Sequence, residues 1–217
     1  MTLRLAVFDC DGTLVDGQGP ICVAMEHAFA QVGLPAPNRH AVRRIVGLSL
    51  PHAVRRLVPH ADDETVAQAV DAYKTSYRQA RASGALVEPL FDGIANLIAD
   101  LDARGWLLGV ATGKSHRGLT HCLATHNLGH LFQTLQTADH HPSKPHPAML
   151  EAALGECGAE PAQAVMIGDT AYDMQMAVAA GVRAIGVDWG YHGADELRAA
   201  GAEWVAGSVR ELGDYLQ

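Results

Sequence analysis

The sequence feature that most restricts the fold is an apolar run from Leu3 to Phe8, followed at once by Asp9-Cys10-Asp11-Gly12-Thr13. A short apolar run that ends in a glycine turn is typical of a buried strand in a parallel sheet. The side chains behind such a strand emerge at the carboxyl edge of the sheet, where open α/β folds bind ligands. Asp9 and Asp11 are two residues apart and are expected to point the same way, which predicts two carboxylates that share a metal ion or a proton. The simpler interpretation is an Asp-Gly turn beside a surface acid.

Behind this strand the chain divides into a helical part and an alternating part. Residues 16–84 show helical spacing in four segments, with no strand-like run between them. From residue 85 onward, predicted strands alternate with predicted helices, as they do in a parallel sheet with helices on both faces. We therefore predict an α/β fold. Its core is a doubly wound, Rossmann-like parallel sheet formed by residues 1–15 and 85–217, and residues 16–84 are inserted as an all-helical cap domain.

Periodicity and turn residues give approximate bounds for the elements. Helices of the insertion are predicted from Pro20 to Gly33, over 38–46, from 49 to about 58 and from 62 to 84. The other predicted strands are 106–111, 134–137, 165–167, 182–187 and 204–206. The other predicted helices are 93–104, one from 115, 147–158, one from 170 to 180, one from 195 and one at the end of the chain.

Polar residues follow several of the predicted strands. Thr112 follows the second strand, Lys144 lies in the loop after the third, and Asp169 follows the fourth. Because the exits of parallel strands share one edge of the sheet, these groups can converge with Asp9 and Asp11. Carboxylate oxygens are the ligands that Mg²⁺ prefers, and ammonium, hydroxyl and backbone N–H groups bind phosphate oxygens.

Each of these polar residues also has a purely structural interpretation. Asp169 is compatible with a helix N-cap, Lys144 with a solvated loop and Thr112 with a turn. The histidine-rich segment 140–146 contains two prolines and lacks helical spacing. We interpret it as a polar loop rather than a metal site.

Four segments of the chain resemble, in order and spacing, the four motifs of the haloacid dehalogenase-like hydrolase superfamily. They are residues 9–16 (DCDGTLVD), 110–114 (VATGK), 144–147 (KPHP) and 168–173 (GDTAYD). The helical insertion lies where the small-cap subgroup of that family carries its α-helical cap, and the similarity is greatest to the phosphoglycolate phosphatase-like subgroup. The resemblance implies a Mg²⁺-dependent hydrolase of a small phosphomonoester that works through an aspartyl-phosphate intermediate.

Carried over by motif, the resemblance implies roles for the acids. Asp9 would be the nucleophile, and Asp11 would be the general acid that protonates the leaving oxygen and then the base toward water. The metal ion would be held by Asp9, by the main-chain carbonyl of Asp11 and by Asp169. Asp173, one helical turn further on, would bind it directly or through a water molecule.

The resemblance also implies a phosphate-binding set. Thr112 and the Gly113 N–H would hold the transferring phosphoryl group, and Lys144 would supply positive charge beside it. The cap is expected to close over the site, with the loop around Gly47 touching the substrate. The chain departs from the pattern at Gly17, where relatives commonly carry serine, and we expect a looser hinge there.

Two alternative functions use similar residues. β-Phosphoglucomutase-like phosphotransfer relies on the same four motifs and differs mainly in how the cap holds a sugar phosphate. A phospho-accepting receiver domain also joins Asp, Thr and Lys on an α/β sheet. Its acceptor Asp normally follows an internal strand and it needs no cap, so the position of Asp9 on the first strand argues against it.

Composition restricts the partners and the compartment. The net charge is −8, and the arginine pairs 43–44 and 55–56 are short and isolated, so no nucleic acid is expected as a partner. No apolar stretch approaches membrane-spanning length and no leader precedes the first strand, so we expect no membrane association and a cytoplasmic location. The four cysteines form no Cys-x-x-Cys pair, which is typical of reduced thiols. The expected partner is a small phosphorylated metabolite; the oligomeric state stays open.

Overall fold

The computed structural model describes residues 3–217, and their central feature is a six-stranded sheet. The strand order is β3-β2-β1-β4-β5-β6, and all of the strand pairs are parallel. This confirms the predicted doubly wound sheet. Met1 and Thr2, the first residues of the predicted core segment, lie outside the described residues. The strands are β1 (Leu5–Phe8), β2 (Leu107–Thr112), β3 (Thr134–Thr137), β4 (Ala164–Gly168), β5 (Arg183–Val187) and β6 (Trp204–Ala206).

Strand β1 lies in the middle of the sheet and is buried on both faces. Leu5 and Val7 pack into one apolar cluster, whereas Ala6 and Phe8 pack into another on the opposite face. A strand with this environment needs apolar residues at every position, which explains the uninterrupted run in the sequence.

Helices cover both faces of the sheet. Three of them pack on the face of Phe8: α5 (Ile94–Ala103), α6 (His116–Thr125) and α10 (Val209–Tyr215). The other face carries α7 (Ala148–Cys157), α8 (Ala171–Ala179) and α9 (Ala194–Ala199). Short 3₁₀ turns at Gly129–Leu131 and Pro161–Gln163, which were not predicted, lead into β3 and β4.

The remaining four helices come from the predicted insertion and pack on one another. They are α1 (Gln18–Gln31), α2 (Arg39–Arg44), α3 (Leu50–Leu57) and α4 (Asp63–Ala82). Their apolar side chains form a third cluster, separate from the two that flank the sheet. Asn38 and Asp62, near which these helices were predicted to begin, are the N-caps: their side chains accept hydrogen bonds from backbone N–H groups of α2 and α4.

Several predicted bounds were wrong by a few residues. α1 begins at Gln18 and includes Pro20, because a proline in the first turn lacks only an N–H that would have no partner there. β1 begins at Leu5 instead of Leu3, and β2 runs from Leu107 to Thr112 instead of 106–111. The shift in β2 makes Thr112 the last strand residue.

Two segments that lie side by side connect the insertion to the sheet. Val15 forms a β-bridge with Leu90, the Asp16 N–H donates to the Pro89 carbonyl, and the Phe91 N–H donates to the Leu14 carbonyl. The crossing therefore lies at residues 14–16 and 89–91. The domain boundaries at 15/16 and 84/85 stay a prediction. Among residues 3–217, no helix has both the length and the apolar character needed to cross a membrane.

Candidate active site

Three carboxylates meet where the central strands end. β1 pairs with β4, so Asp9 and Asp169 leave neighbouring strands side by side. Asp173 reaches the same place from the first turn of α8. All three residues are completely buried, and each offers a carboxylate oxygen that lies within 4.8 Å of those of the other two. The predicted convergence of acids from distant parts of the chain is present in the structure.

Lys144 joins this group from the loop after β3. Its Nζ lies 3.0 Å from Asp9 Oδ1 and 2.6 Å from Asp173 Oδ1, and its side chain is fully buried. The interpretation of Lys144 as a solvated loop residue is therefore wrong. Three carboxylates and one ammonium, when all are ionised, leave two net negative charges in a buried volume.

The pKa values reflect this excess of negative charge. Burial, with a contribution from Asp173, raises the pKa of Asp9 to about 7, although Lys144 acts against the shift. Burial and then the charges of Asp9 and Asp173 raise the pKa of Asp169 well above its usual range. Burial alone would lower the pKa of Lys144, but Asp173 and Asp9 hold it above its usual range. The ionised acids thus need another cation.

The two oxygens of Asp9 have different environments. Oδ1 accepts a hydrogen bond from the Cys10 N–H at 2.7 Å and faces Lys144, whereas Oδ2 is buried and has no hydrogen-bond partner among the described residues. A buried carboxylate oxygen without a partner is costly unless a ligand engages it.

Asp169 is held in place through both of its oxygens. Oδ1 accepts from the Thr13 hydroxyl at 2.8 Å, and Oδ2 accepts from the Tyr191 N–H at 2.9 Å. Glycines make room for it: a Cβ built on Gly12, whose φ is +90°, would lie 2.1 Å from Asp169 Oδ2, and one on Gly190 would lie 2.2 Å from its Cβ. Larger residues at 12 and 190 would displace this carboxylate.

These residues fit a divalent cation. The donor set consists of hard carboxylate oxygens, the net charge of the cluster is negative, and Asp9 Oδ2 has no hydrogen-bond partner from residue 3 onward. Asp173 is the least available of the three acids. Its Oδ1 accepts from Lys144 and its Oδ2 accepts from both the N–H and the hydroxyl of Thr170, which places it chiefly against Lys144 and the start of α8.

Asp11 lies beside this cluster and is bound by a residue that the sequence analysis did not assign to the site. Lys114 Nζ lies 2.9 and 3.0 Å from the two oxygens of Asp11 and 2.7 Å from Glu88 Oε1. Glu88 also accepts a hydrogen bond from the Tyr77 hydroxyl at 2.5 Å, and the ammonium lies over the Tyr77 ring. Gly17 leaves room for the acid, since a Cβ there would lie 2.3 Å from Asp11 Oδ1.

We expect Lys114→Met to destabilise the protein strongly. It leaves Asp11 and Glu88 buried without their cation, and loss of one partner of a buried ion pair costs about 3–5 kcal/mol. Urea denaturation should show this loss, and adding Glu88→Gln should recover part of it. Lys74→Met, which removes an exposed lysine, is the matched control and should change the free energy of unfolding by less than about 0.5 kcal/mol. An equal effect of the two lysine substitutions would contradict the interpretation of Lys114 as a buried ionic partner.

A cavity of about 870 Å³ opens above these acids, between the cap helices and the carboxyl edge of the sheet. Its wall includes Asp9 and Asp11, which follow β1, Thr112 and Gly113 from the end of β2, and Gly47 from the cap. Lys144 and Asp169 lie close to Asp9 but are not among the residues that line the cavity.

The chain matches the family described as "Haloacid dehalogenase-like hydrolase" over residues 6–187, which include all four motifs. It belongs to that family. The resemblance predicted from the motifs is confirmed, and so is the enzyme class, that of a phosphatase of this hydrolase family.

Relatives match nearly the whole length of this haloacid dehalogenase-like hydrolase. The "Probable phosphatase IndB" of Dickeya dadantii is 36% identical over 214 residues, covering 96% of this chain and 91% of that protein. A phosphoglycolate phosphatase of Haemophilus influenzae is 28% identical over 218 residues and 96% of both chains. The crystal structure of a predicted phosphatase from Clostridium acetobutylicum superposes with a TM-score of 0.89 at 26% identity, covering 100% of this chain and 99% of that one.

In this haloacid dehalogenase-like hydrolase the cap touches the core at Gly113. A Cβ built on Gly113 would lie 2.5 Å from the Leu48 carbonyl oxygen and 2.6 Å from that of Gly47. Gly47 has a φ of +96° and packs against Thr170. Substrate contact by Gly47 stays a prediction, as do the phosphate-binding roles of Thr112 and Gly113.

We expect Gly113→Ala to push the cap loop away from the sheet. The added methyl group overlaps two backbone carbonyl oxygens, and overpacking of this kind costs about 1–3 kcal/mol. Hydrogen exchange of residues 45–50 should be faster in the variant than in the parent protein. Gly155→Ala is the control, because nothing lies within 4 Å of the added Cβ. Unchanged exchange in Gly113→Ala would show that the loop does not depend on this contact.

The roles of Lys114 and Glu88 in holding Asp11 were missed for an identifiable reason. Lys114 stands inside the motif at the end of β2, but the sequence does not show that its side chain is buried. Glu88 lies in a linker without periodicity, just before Pro89. The available signal was weak: Lys74, Lys114 and Lys144 are the only lysines of the chain, and two of the three lie inside motifs.

Proposed function

We propose that this enzyme hydrolyses a small phosphomonoester in a Mg²⁺-dependent reaction, with Asp9 as the nucleophile, as in a phosphoglycolate phosphatase. The observation that carries the proposal is the environment of Asp9. One of its oxygens is held by Lys144 and the Cys10 N–H. The other is buried beside a second strand-end acid and has no hydrogen-bond partner in the described part of the chain. A carboxylate in this state is oriented and has a free oxygen.

Charge is the main obstacle to attack by Asp9 on a phosphate dianion. Two like charges about 4 Å apart repel each other by about 4 kcal/mol at an effective dielectric constant of about 20. Lys144, fixed by Asp173, offsets part of this repulsion. Asp9, Asp169 and the main-chain carbonyl of Asp11 would hold Mg²⁺, with Asp173 close by. When bound, the ion acts as a Lewis acid on the phosphoryl oxygens.

The reaction then runs in two displacements. A carboxylate oxygen of Asp9 forms a bond to phosphorus while the bond to the ester oxygen breaks, and Asp11 gives a proton to the leaving alcohol. In the second displacement, Asp11 takes a proton from a water molecule that attacks phosphorus. The bond to Asp9 breaks and inorganic phosphate is released. Thr112 and the Gly113 N–H would bind the phosphoryl oxygens during both steps.

Asp11 has to leave its partner to act as an acid. In the structure both of its oxygens lie within 3.0 Å of the Lys114 ammonium, and Glu88 shares that ammonium. Transfer of a proton to the leaving group requires the Asp11 carboxyl to turn away from Lys114. The ion pair thus holds Asp11 beside the cavity. When Asp11 moves, Glu88 still neutralises the charge of Lys114.

The test is a panel of phosphorylated metabolites assayed with Mg²⁺ and with a chelator. We expect phosphate release only with the metal, and a higher melting temperature of the parent protein with Mg²⁺ because the ion binds the folded state alone. Asp169→Asn should abolish both responses. Turnover that survives the chelator would refute the metal requirement. Formation of a sugar bisphosphate without free phosphate would identify a phosphotransferase instead.

A further inference from the structure

The cap side of the cavity is lined by one face of α4. Tyr73, Tyr77 and Arg81 follow one another at intervals of four residues and therefore lie on one side of the helix, with Lys74 and Arg78 beside them. All five side chains line the same cavity as Asp9 and Asp11. The protein carries a net charge of −8, yet α4 contributes three cations and one acid, Asp71, to the cavity wall.

These cations form no ion pairs within the described residues, whereas several other arginines do. Arg39, Arg44 and Arg183 each bind a glutamate. Lys74, Arg78 and Arg81 have no carboxylate within 4.0 Å among residues 3–217. A cation that lines a cavity and has no protein counterion is available to a ligand.

Arg81 carries the clearest sign of a missing ligand. Its Nε is buried and has no hydrogen-bond partner among the described residues. Glu88 is the acid near it. Burial raises the pKa of the Glu88 carboxyl, but Lys114, then Tyr77 and then Arg81 lower it, and the pKa lies below its usual range. Glu88 nevertheless makes its contacts with Tyr77 and Lys114 and not with Arg81. The Arg78 guanidinium bends back to Thr75 and leaves Arg81 as the principal donor.

We propose that Arg81, assisted by Lys74 and Arg78, binds a second anionic group of the substrate, so that the substrate is a phosphomonoester with a carboxylate or another phosphate at its far end. This inference rests on the proposed phosphatase function, which places the reacting phosphate at Asp9. Between the two ends, the cavity wall is apolar: Ile21, Met25 and Tyr73 line it and suit a short carbon spacer. A guanidinium binds either anion in a bidentate manner.

Two matched pairs of compounds test the proposal and show whether the second anionic group is a carboxylate or a phosphate. 2-Phosphoglycolate and 2-hydroxyethyl phosphate differ by a carboxylate, and fructose 1,6-bisphosphate and fructose 6-phosphate differ by a phosphate. Binding is measured by calorimetry with Mg²⁺ in an Asp9→Asn background, which prevents turnover, and kcat/KM is measured in the parent protein. Arg81→Gln is compared with Arg104→Gln, which alters an exposed arginine at the end of α5 that bonds its own helix.

In at least one pair, the compound with two anionic groups should bind about tenfold more tightly or better than its partner, and Arg81→Gln should remove that advantage. The same substitution should change binding of 2-hydroxyethyl phosphate by less than about twofold, and Arg104→Gln should change nothing. Equal binding within both pairs, or an equal loss for both members of a pair in Arg81→Gln, would overturn the proposal. If the parent protein released no phosphate from any compound, the proposed function would fail, and the binding data would still decide the role of Arg81.

Discussion

Asp9→Asn is expected to reduce phosphate release by at least about 10³-fold, because the amide cannot form the covalent bond to phosphorus. The variant should remain folded. Its side-chain oxygen can still accept from the Cys10 N–H, and the substitution removes a charge whose ionisation is disfavoured by burial, as the pKa of about 7 shows. At pH 8 without added metal, the melting temperature should not fall below that of the parent protein.

A matched substitution separates catalysis from general effects. Asp102→Asn changes the same functional group at an exposed position on α5 and should leave both activity and melting temperature unchanged. Mass spectrometry of the parent protein, quenched during turnover, should detect phosphate on Asp9 and none in Asp9→Asn. Comparable turnover by Asp9→Asn would eliminate the covalent mechanism.

Lys144→Met is expected to impair both activity and stability. Lys144 is the ammonium between Asp9 and Asp173, and all three side chains are almost completely shielded from solvent. Loss of the cation leaves the buried acids uncompensated, which costs about 3–5 kcal/mol when one partner of a buried pair is removed. Urea denaturation in the presence of a chelator should show this loss, together with a fall in activity of about 10²-fold or more.

The stability loss in Lys144→Met should depend on pH. Asp9 already has a folded-state pKa of about 7 against an unfolded value near 3.8, so the folded protein holds the extra proton. Its contribution to stability is complete below about 3.8 and is lost as pH rises through about 7. Removing Lys144 raises this folded pKa further. The deficit of Lys144→Met should therefore be larger at pH 8 than at pH 5.5.

A second substitution tests the pairing itself. Lys144→Met combined with Asp173→Asn should be less destabilised than the sum of the two single variants, because the acid that loses its partner is then neutral. Simple additivity, or a deficit in Lys144→Met that is the same at both pH values, would show that the ammonium does not act by neutralising these acids.

The fold was predictable because each of its elements has a local signature. The unbroken apolar run of β1 indicated a strand buried on both faces, and helices were predicted to begin near Asn38, Asp62 and Ser115, where the structure has N-caps. Errors fell at element ends, as for α1, which was predicted to begin at Pro20 but begins two residues earlier, because the first turn of a helix accepts a proline.

The candidate site was predictable to the extent that it follows from strand order. Asp9, Thr112 and Asp169 end neighbouring strands of one parallel sheet, so their convergence needs only the topology. Lys114, Glu88 and Arg81 were not predicted as a group. Their arrangement depends on how α4 and the linker pack over the sheet. The spacing of apolar and polar residues in the sequence does not reveal that packing.

The sequence by itself therefore determined the sheet, the helical insertion and the residues that stand at the strand exits. Burial requires a periodic pattern of apolar residues, and helix caps require particular residue types, so both can be recognised in a sequence. The tertiary structure alone decided which charges pair: Lys144 with Asp9 and Asp173, and Lys114 with Asp11. It alone also left Asp9 Oδ2 and Arg81 Nε without hydrogen-bond partners within residues 3–217. The physical reason is that ion pairing and desolvation depend on distances of a few ångströms between groups far apart in the chain, and such distances exist only once the cap and the sheet have packed together.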